Sequence, residues 1–169
     1  SSPGRHVLLA LGRDCRQAIV MPESSLQSPY GALTLVERDG AIAALRWGGG
    51  AGDETPLLRE AAAQLADYFA GARQKFDLPL GFAPGLTGAV MLAMCAIPFG
   101  ETRTYGELAR ALGASAQAIG QACGANPIPI IVPCHRILGA KGLGGYSGGG
   151  GIETKIALLR HEGAAGLLL

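Results

Sequence analysis

The chain has 169 residues, 49 % of them hydrophobic and 16 % charged, and a formal net charge of +1. That is enough apolar material for one domain or two small ones, and it excludes a disordered chain. The charge is too small to argue for nucleic acid by itself, although residues 85–169 are net basic and residues 1–84 net acidic, the sign that a DNA-binding C-terminal half needs.

In chain order, the run Val7 to Leu11 is too short for a secretory core and is followed at once by Arg13, Asp14 and Arg16. Residues 1–20 are expected to be a disordered extension, with Met21 as a natural start. Cys15, Cys95, Cys123 and Cys134 form no C-x-x-C pair, so reduced thiols in a cytoplasmic protein are expected. His6 and Cys15 have no matching ligand set, so neither a metal nor a cofactor is expected, and nothing approaches a membrane span. Residues 32–38 and 41–47 alternate around Asp39-Gly40 and predict a β-hairpin. Thr55-Pro56 predicts the start of a helix to Ala70, with Leu57, Leu58, Ala61, Leu65 and Phe69 at helical spacing. No residue of this half has a catalytic look. A linker is expected at 82–87, dividing an N-terminal α/β scaffold, 21–81, from a mostly helical C-terminal domain, 82–169.

In that second domain, Ala89 to Ile97 is apolar on every side and predicts a buried helix. Thr104 to Gly113 predicts a helix with Thr at its cap and Gly at its end, and Ser115 to Cys123 a second helix after a short turn, at helix-turn-helix spacing. Lys155 to Gly163 predicts an amphipathic helix.

The most informative stretch is Asn126-Pro-Ile-Pro-Ile-Ile-Val-Pro-Cys134-His135-Arg136. Prolines 127, 129 and 133 exclude helix and predict an extended rod delivering Cys134 to the start of a helix, where free N–H groups favour a thiolate. Neighbouring side chains on a strand point apart, so a Cys134–His135 contact needs a turn or a bridging water. A lone Cys after Ile-Ile-Val is by default inert core. His135, the Arg136 charge, Asn126 at the entrance, and the Gly-rich loop carrying Tyr146 and Ser147 argue for chemistry.

These residues, with Gly145-Tyr146-Ser147-Gly148-Gly149, resemble the active site of the O6-alkylguanine-DNA alkyltransferases, the methylated-DNA–protein-cysteine methyltransferases. The resemblance runs from about Ile97 to Gly163, and more weakly from Ser28 to about Pro79. It implies an α+β protein whose C-terminal domain is winged-helix-like. It implies single-turnover transfer of a methyl or small alkyl group from O6-alkylguanine, or O4-alkylthymine, in double-stranded DNA onto Cys134, with the nucleotide flipped out through the minor groove. His135 would take the thiol proton and Glu162 would orient His135. Asn126 would hold the active-site turn. Tyr146 and Ser147 would donate to the leaving guanine, Tyr105 would press on the phosphate, and Arg136 would lie with the substrate and DNA contacts. A monomer is expected.

One departure from the family matters most. Where relatives carry an Arg that enters the base stack, this chain has Gln117. That motivates an alternative, a DNA-damage-binding or regulatory module with weak or no transfer. A cysteine hydrolase using Cys134, His135 and Glu162 is a third reading, and turnover separates the three.

Overall fold

The computed structural model describes residues 21–140, 142–144 and 151–164. The extension expected at 1–20 lies outside the described residues, as do Tyr146 and Ser147.

The first unit is an antiparallel sheet in the order β1 (Glu23–Ser28), β2 (Gly31–Arg38), β3 (Ala41–Trp47). The β2–β3 hairpin turns at Asp39 and Gly40, both with positive φ, as a two-residue loop requires. β1 was not foreseen: Glu-Ser-Ser-Leu-Gln-Ser has no apolar alternation. It is held instead by Ser25 Oγ against Thr34 Oγ1 at 3.0 Å and by Glu23 against Arg46 at 2.8 Å. Helix α1 (Pro56–Phe69) starts where Thr55 predicts, its side chain accepting from Leu58 N, and buries Leu58, Ala61, Leu65 and Tyr68. Each fully buried large side chain contributes about 1.5–3 kcal/mol.

Helix α2 (Gly85–Cys95) begins inside the expected linker, and it is not buried all round. Val90, Met91 and Met94 face the core, but Leu92 is 56 % exposed and Leu86 38 % exposed. Only one face has neighbours, chiefly α3 (Tyr105–Leu112) and α4 (Ala116–Gly124), and an apolar sequence cannot say which face that is. The helix pair α3–α4 is the expected helix-turn-helix. Thr104 and Glu107 form a reciprocal capping box, Gly113 closes α3 in the left-handed region, and Ser115 caps α4. Two short parallel strands, β4 (Arg103–Thr104) and β5 (Ile137–Leu138), join the start of α3 to the chain just after Cys134. Helix α5 (Ile152–His161) closes the domain.

The predicted rod at 126–133 is not extended. The segment coils through turns: Val132 N bonds to Ile128 O at 2.9 Å, and Ile131 N to Pro129 O at 2.8 Å. Asn126 closes the coil, its Nδ2 donating to Val132 O (3.0 Å) and its Oδ1 accepting from Ile128 N (3.1 Å). Ile130 sits at φ +72°, a conformation that β-branched residues avoid and that costs on the order of 1–3 kcal/mol. Its fully buried side chain and the Asn126 bonds hold it there. The prolines excluded helix correctly, but a fixed φ does not prevent turns. Leu45 N of β3 donates to Pro127 O at 2.9 Å, so the first unit is hydrogen-bonded directly to this coil.

Candidate active site

Cys134 opens a single 3₁₀ turn, Cys134–Arg136, rather than a long helix. The turn brings two of its three consecutive side chains onto one carboxylate, that of Glu162, the residue capping the C-terminus of α5. His135 Nε2 lies 2.7 Å from Glu162 Oε2, and both side chains are completely buried. Arg136 Nε donates to Glu162 Oε1 at 2.8 Å, and its Nη2 donates to Oε2 at 2.9 Å. Its Nη1 donates to Ile97 O at 2.6 Å. A further donor comes from the other unit: Tyr68 O–H reaches Glu162 Oε2 at 2.6 Å.

Burial by itself would push the Glu162 carboxyl up. The hydrogen bonds from His135 and Arg136, and their charges, overcome that and hold it well below the usual carboxylate range. An ionised Glu162 only accepts, so the His135 proton sits on Nε2. Nδ1 is therefore the free base, and it is buried without a hydrogen-bond partner. Burial also lowers the His135 pKa, and the bonded Glu162 opposes this only in part, so the ring is neutral at rest.

Cys134 is 7 % exposed. Burial pushes its thiol up, while a hydrogen bond with Asn126 and the charge of Lys155 work to lower it. The cation beside the sulfur is thus Lys155, not Arg136. Lys155 is a fully buried side chain of α5 that donates to Ile137 O at 2.6 Å and to Leu143 O. Its own pKa is brought down to about 8, first by burial, with the nearby Cys134 and Cys123 thiols pulling the other way. Among the described cysteines, Cys95 and Cys123 are also free, and burial raises both thiols, Cys123 to about 12.

On the outer side, Tyr105, Gly106, Ala116, Gln117, Gly120 and Ala140 line one open depression. Gln117 is exposed near the start of α4. Gly144, at φ +70°, packs on Tyr105 so closely that a Cβ there would stand 2.8 Å from Tyr105 Cε2. Only glycine fits that position.

Two family profiles match successive parts of the chain. That for "6-O-methylguanine DNA methyltransferase, ribonuclease-like domain" covers residues 21–82, and that for "6-O-methylguanine DNA methyltransferase, DNA binding domain" covers 86–164. The chain belongs to the O6-methylguanine-DNA methyltransferase family. Among its relatives, a methylated-DNA–protein-cysteine methyltransferase of Mycolicibacterium paratuberculosis is 41 % identical over 82 % of this chain and 90 % of its own length. One from Methanosarcina acetivorans is 48 % identical over 64 % of this chain and 70 % of its own. The crystal structure of Mycobacterium tuberculosis OGT in complex with DNA superposes with a TM-score of 0.75 at 41 % identity, covering 85 % of this chain and 93 % of that one.

Within this methyltransferase fold, the sequence-derived candidates separate into two groups. Cys134, His135, Glu162 and Asn126 are all buried, with His135 bonded to Glu162 and Cys134 to Asn126. Tyr105 and Gln117 share the outer depression. Arg136 lies with the first group, 6 % exposed and clamped onto Glu162, and not in the outer depression. Tyr146 and Ser147 lie outside the described residues. Tyr68 and Lys155 were missed. Tyr68 stands in an amphipathic helix where an aromatic residue reads as core, and Lys155 in a helix where a lysine reads as solvated. Among the described residues no group of three His, Cys, Asp or Glu side chains could hold a metal, and no helix is long and apolar enough to cross a membrane.

Proposed function

We propose that this chain repairs DNA by direct reversal, taking a methyl or small alkyl group from O6-alkylguanine, or O4-alkylthymine, onto Cys134. The observation that carries this reading is the buried relay in a chain of this family: Glu162 fixes the His135 tautomer and leaves Nδ1 free, and the Cys134 thiol stands one residue before it in sequence.

The chemistry follows from the geometry. A buried thiol cannot reach O6 inside a duplex, so the nucleotide turns out of the stack. Resting Cys134 is protonated because burial outweighs Asn126 and Lys155. His135 Nδ1 takes the proton, through one bridging water, and the Glu162 carboxylate, itself held by Arg136, stabilises the imidazolium, while the Arg136 charge opposes it. The sulfur lone pair then forms the S–C bond to the alkyl carbon while the C–O6 bond breaks and its electrons return to the guanine. Tyr146 and Ser147 are the proposed donors to that oxygen. Tyr105 would press on the phosphate, and Gln117 would enter the stack. The thioether has no route to reverse, so each molecule acts once. We further take the protein to be a cytoplasmic monomer whose two units meet near residue 82. The curated relatives named above are methyltransferases, which favours transfer over the damage-binding alternative.

His135→Ala should slow transfer by roughly two to four powers of ten, the usual worth of positioned acid–base help. Glu162→Gln should slow it less, since the base remains but loses its charged partner. Wild-type rates in both variants would show that Cys134 is activated by other means.

A further inference from the structure

Glu162 Oε2 carries three donors: Tyr68 O–H at 2.6 Å, His135 Nε2 at 2.7 Å and Arg136 Nη2 at 2.9 Å. His135 and Arg136 lie on the turn that carries Cys134. Tyr68 comes from α1, in the first unit, 94 residues away in sequence. It is fully buried, with its ring against Phe69, Phe76, Phe99 and His161, and its carbonyl 2.7 Å from His161 Nε2. The side chain is thus locked from three directions, and its hydroxyl meets the one carboxylate that faces the base. Burial and the Glu162 charge push the Tyr68 ionisation far above its usual range, so the group stays a neutral donor at every working pH.

We propose that Tyr68 is a positioning residue for alkyl transfer, its O–H holding the Glu162 carboxylate and limiting how strongly that carboxylate draws a proton onto His135. The inference rests on the relay described above. A carboxylate oxygen shared among three donors is a weaker partner for each of them than one shared between two. Without the Tyr68 hydroxyl, Glu162 pulls harder on the remaining donors and the imidazolium is favoured. His135 must be neutral to accept the Cys134 proton, so a more basic His135 is disabled over more of the acid range. The charged and titratable groups that face this set are Arg136 from the 3₁₀ turn, Lys155 and His161 from α5, and Tyr30 beside the sheet. Of these, Arg136 already donates to Oε2, and His161 Nε2 is engaged with the Tyr68 carbonyl. By this route the first unit, which carries none of the reacting groups, sets the working pH range of the second.

The test uses the full chain with Tyr68→Phe, which keeps the ring and removes only the hydroxyl. Two curves are measured against pH: the ¹⁵N resonances of the His135 ring, and the rate of transfer from free O6-benzylguanine, which needs no DNA binding. Both midpoints should move up by about 0.3–1 pH unit, the net worth of one hydrogen bond expressed as a proton affinity. Incorporating 3-fluorotyrosine at position 68 gives a stronger donor and should move both midpoints down. A merely structural Tyr68 would slow transfer equally at all pH values and leave both midpoints in place, and that result overturns the proposal, as does a downward shift with Tyr68→Phe. Failure of the relay itself is read separately: His135→Ala would then transfer at the wild-type rate, whatever the ring titration shows.

Discussion

Replacing Arg136 by Leu separates a buried clamp from a DNA contact. The Arg136 side chain is 7 % exposed and the Glu162 side chain 0 %, and three hydrogen bonds leave the guanidinium, two to Glu162 and one to Ile97 O. Removing one partner of a buried ion pair costs about 3–5 kcal/mol, because the other charge is left in low dielectric. Tyr68 and His135 still donate to Glu162, which places the expected loss near the lower end, about 3 kcal/mol. At about 2–4 °C per kcal/mol for a chain of this size, the melting temperature should fall by about 6–12 °C. The assay is urea unfolding followed by circular dichroism, repeated across pH. The Glu162 pKa is lowered from its ordinary 4.5 in the folded state, so the stabilisation it gives is fully present above that value. It is lost as pH falls through the folded value. The difference between wild type and Arg136→Leu should therefore be largest near neutral pH and shrink as acid protonates Glu162 in both proteins. A loss under about 0.5 kcal/mol, typical of an exposed site, would refute the clamp. So would unchanged stability with a salt slope of DNA binding reduced by about one, the signature of a phosphate contact.

Gln117→Arg should raise the rate on duplex DNA and leave the rate on free O6-alkylguanine nearly unchanged, because a charged side chain offsets the cost of extrusion and not that of chemistry. Equal change in both rates, or none in either, would show that residue 117 does not enter the stack. Asn126→Ala removes the bonds to Val132 O and Ile128 N that hold Ile130 at positive φ. With about 1–3 kcal/mol for each buried group left unpaired, it should lower stability by about 2–6 kcal/mol and also slow transfer, which urea unfolding and a single-turnover assay can check together.

Much of the fold was legible because its signals are local. Thr55-Pro56, Thr104 and Gly113 act on backbone groups a few residues away, and each bounds the helix it predicted. The coil at 126–133 was misread because its shape is set by the Asn126 side chain closing onto Val132, a bond that the proline spacing does not encode. Glu162 as the partner of His135 was reached through family resemblance. Nothing in the local pattern of α5 separates it from a solvated helix end. Tyr68 and Arg136 show the same limit from opposite sides. A tyrosine in an apolar stripe and an arginine beside a nucleophile look alike whether they face core, solvent or DNA. Only the meeting of α1, the 3₁₀ turn and the end of α5 at one carboxylate decides the matter.

The most direct measurement is the intact mass of the protein after incubation with an oligonucleotide bearing O6-methylguanine, followed by peptide mapping. Among the described cysteines, Cys134 alone joins a His next to it in sequence, a polar partner in Asn126 and the charge of Lys155. The account predicts a gain of one methyl group per chain, located on the peptide that holds Cys134, and no gain in a folded Cys134→Ser variant. A methyl group on Cys15, Cys95 or Cys123, many turnovers per chain, or no gain with intact DNA binding would contradict it.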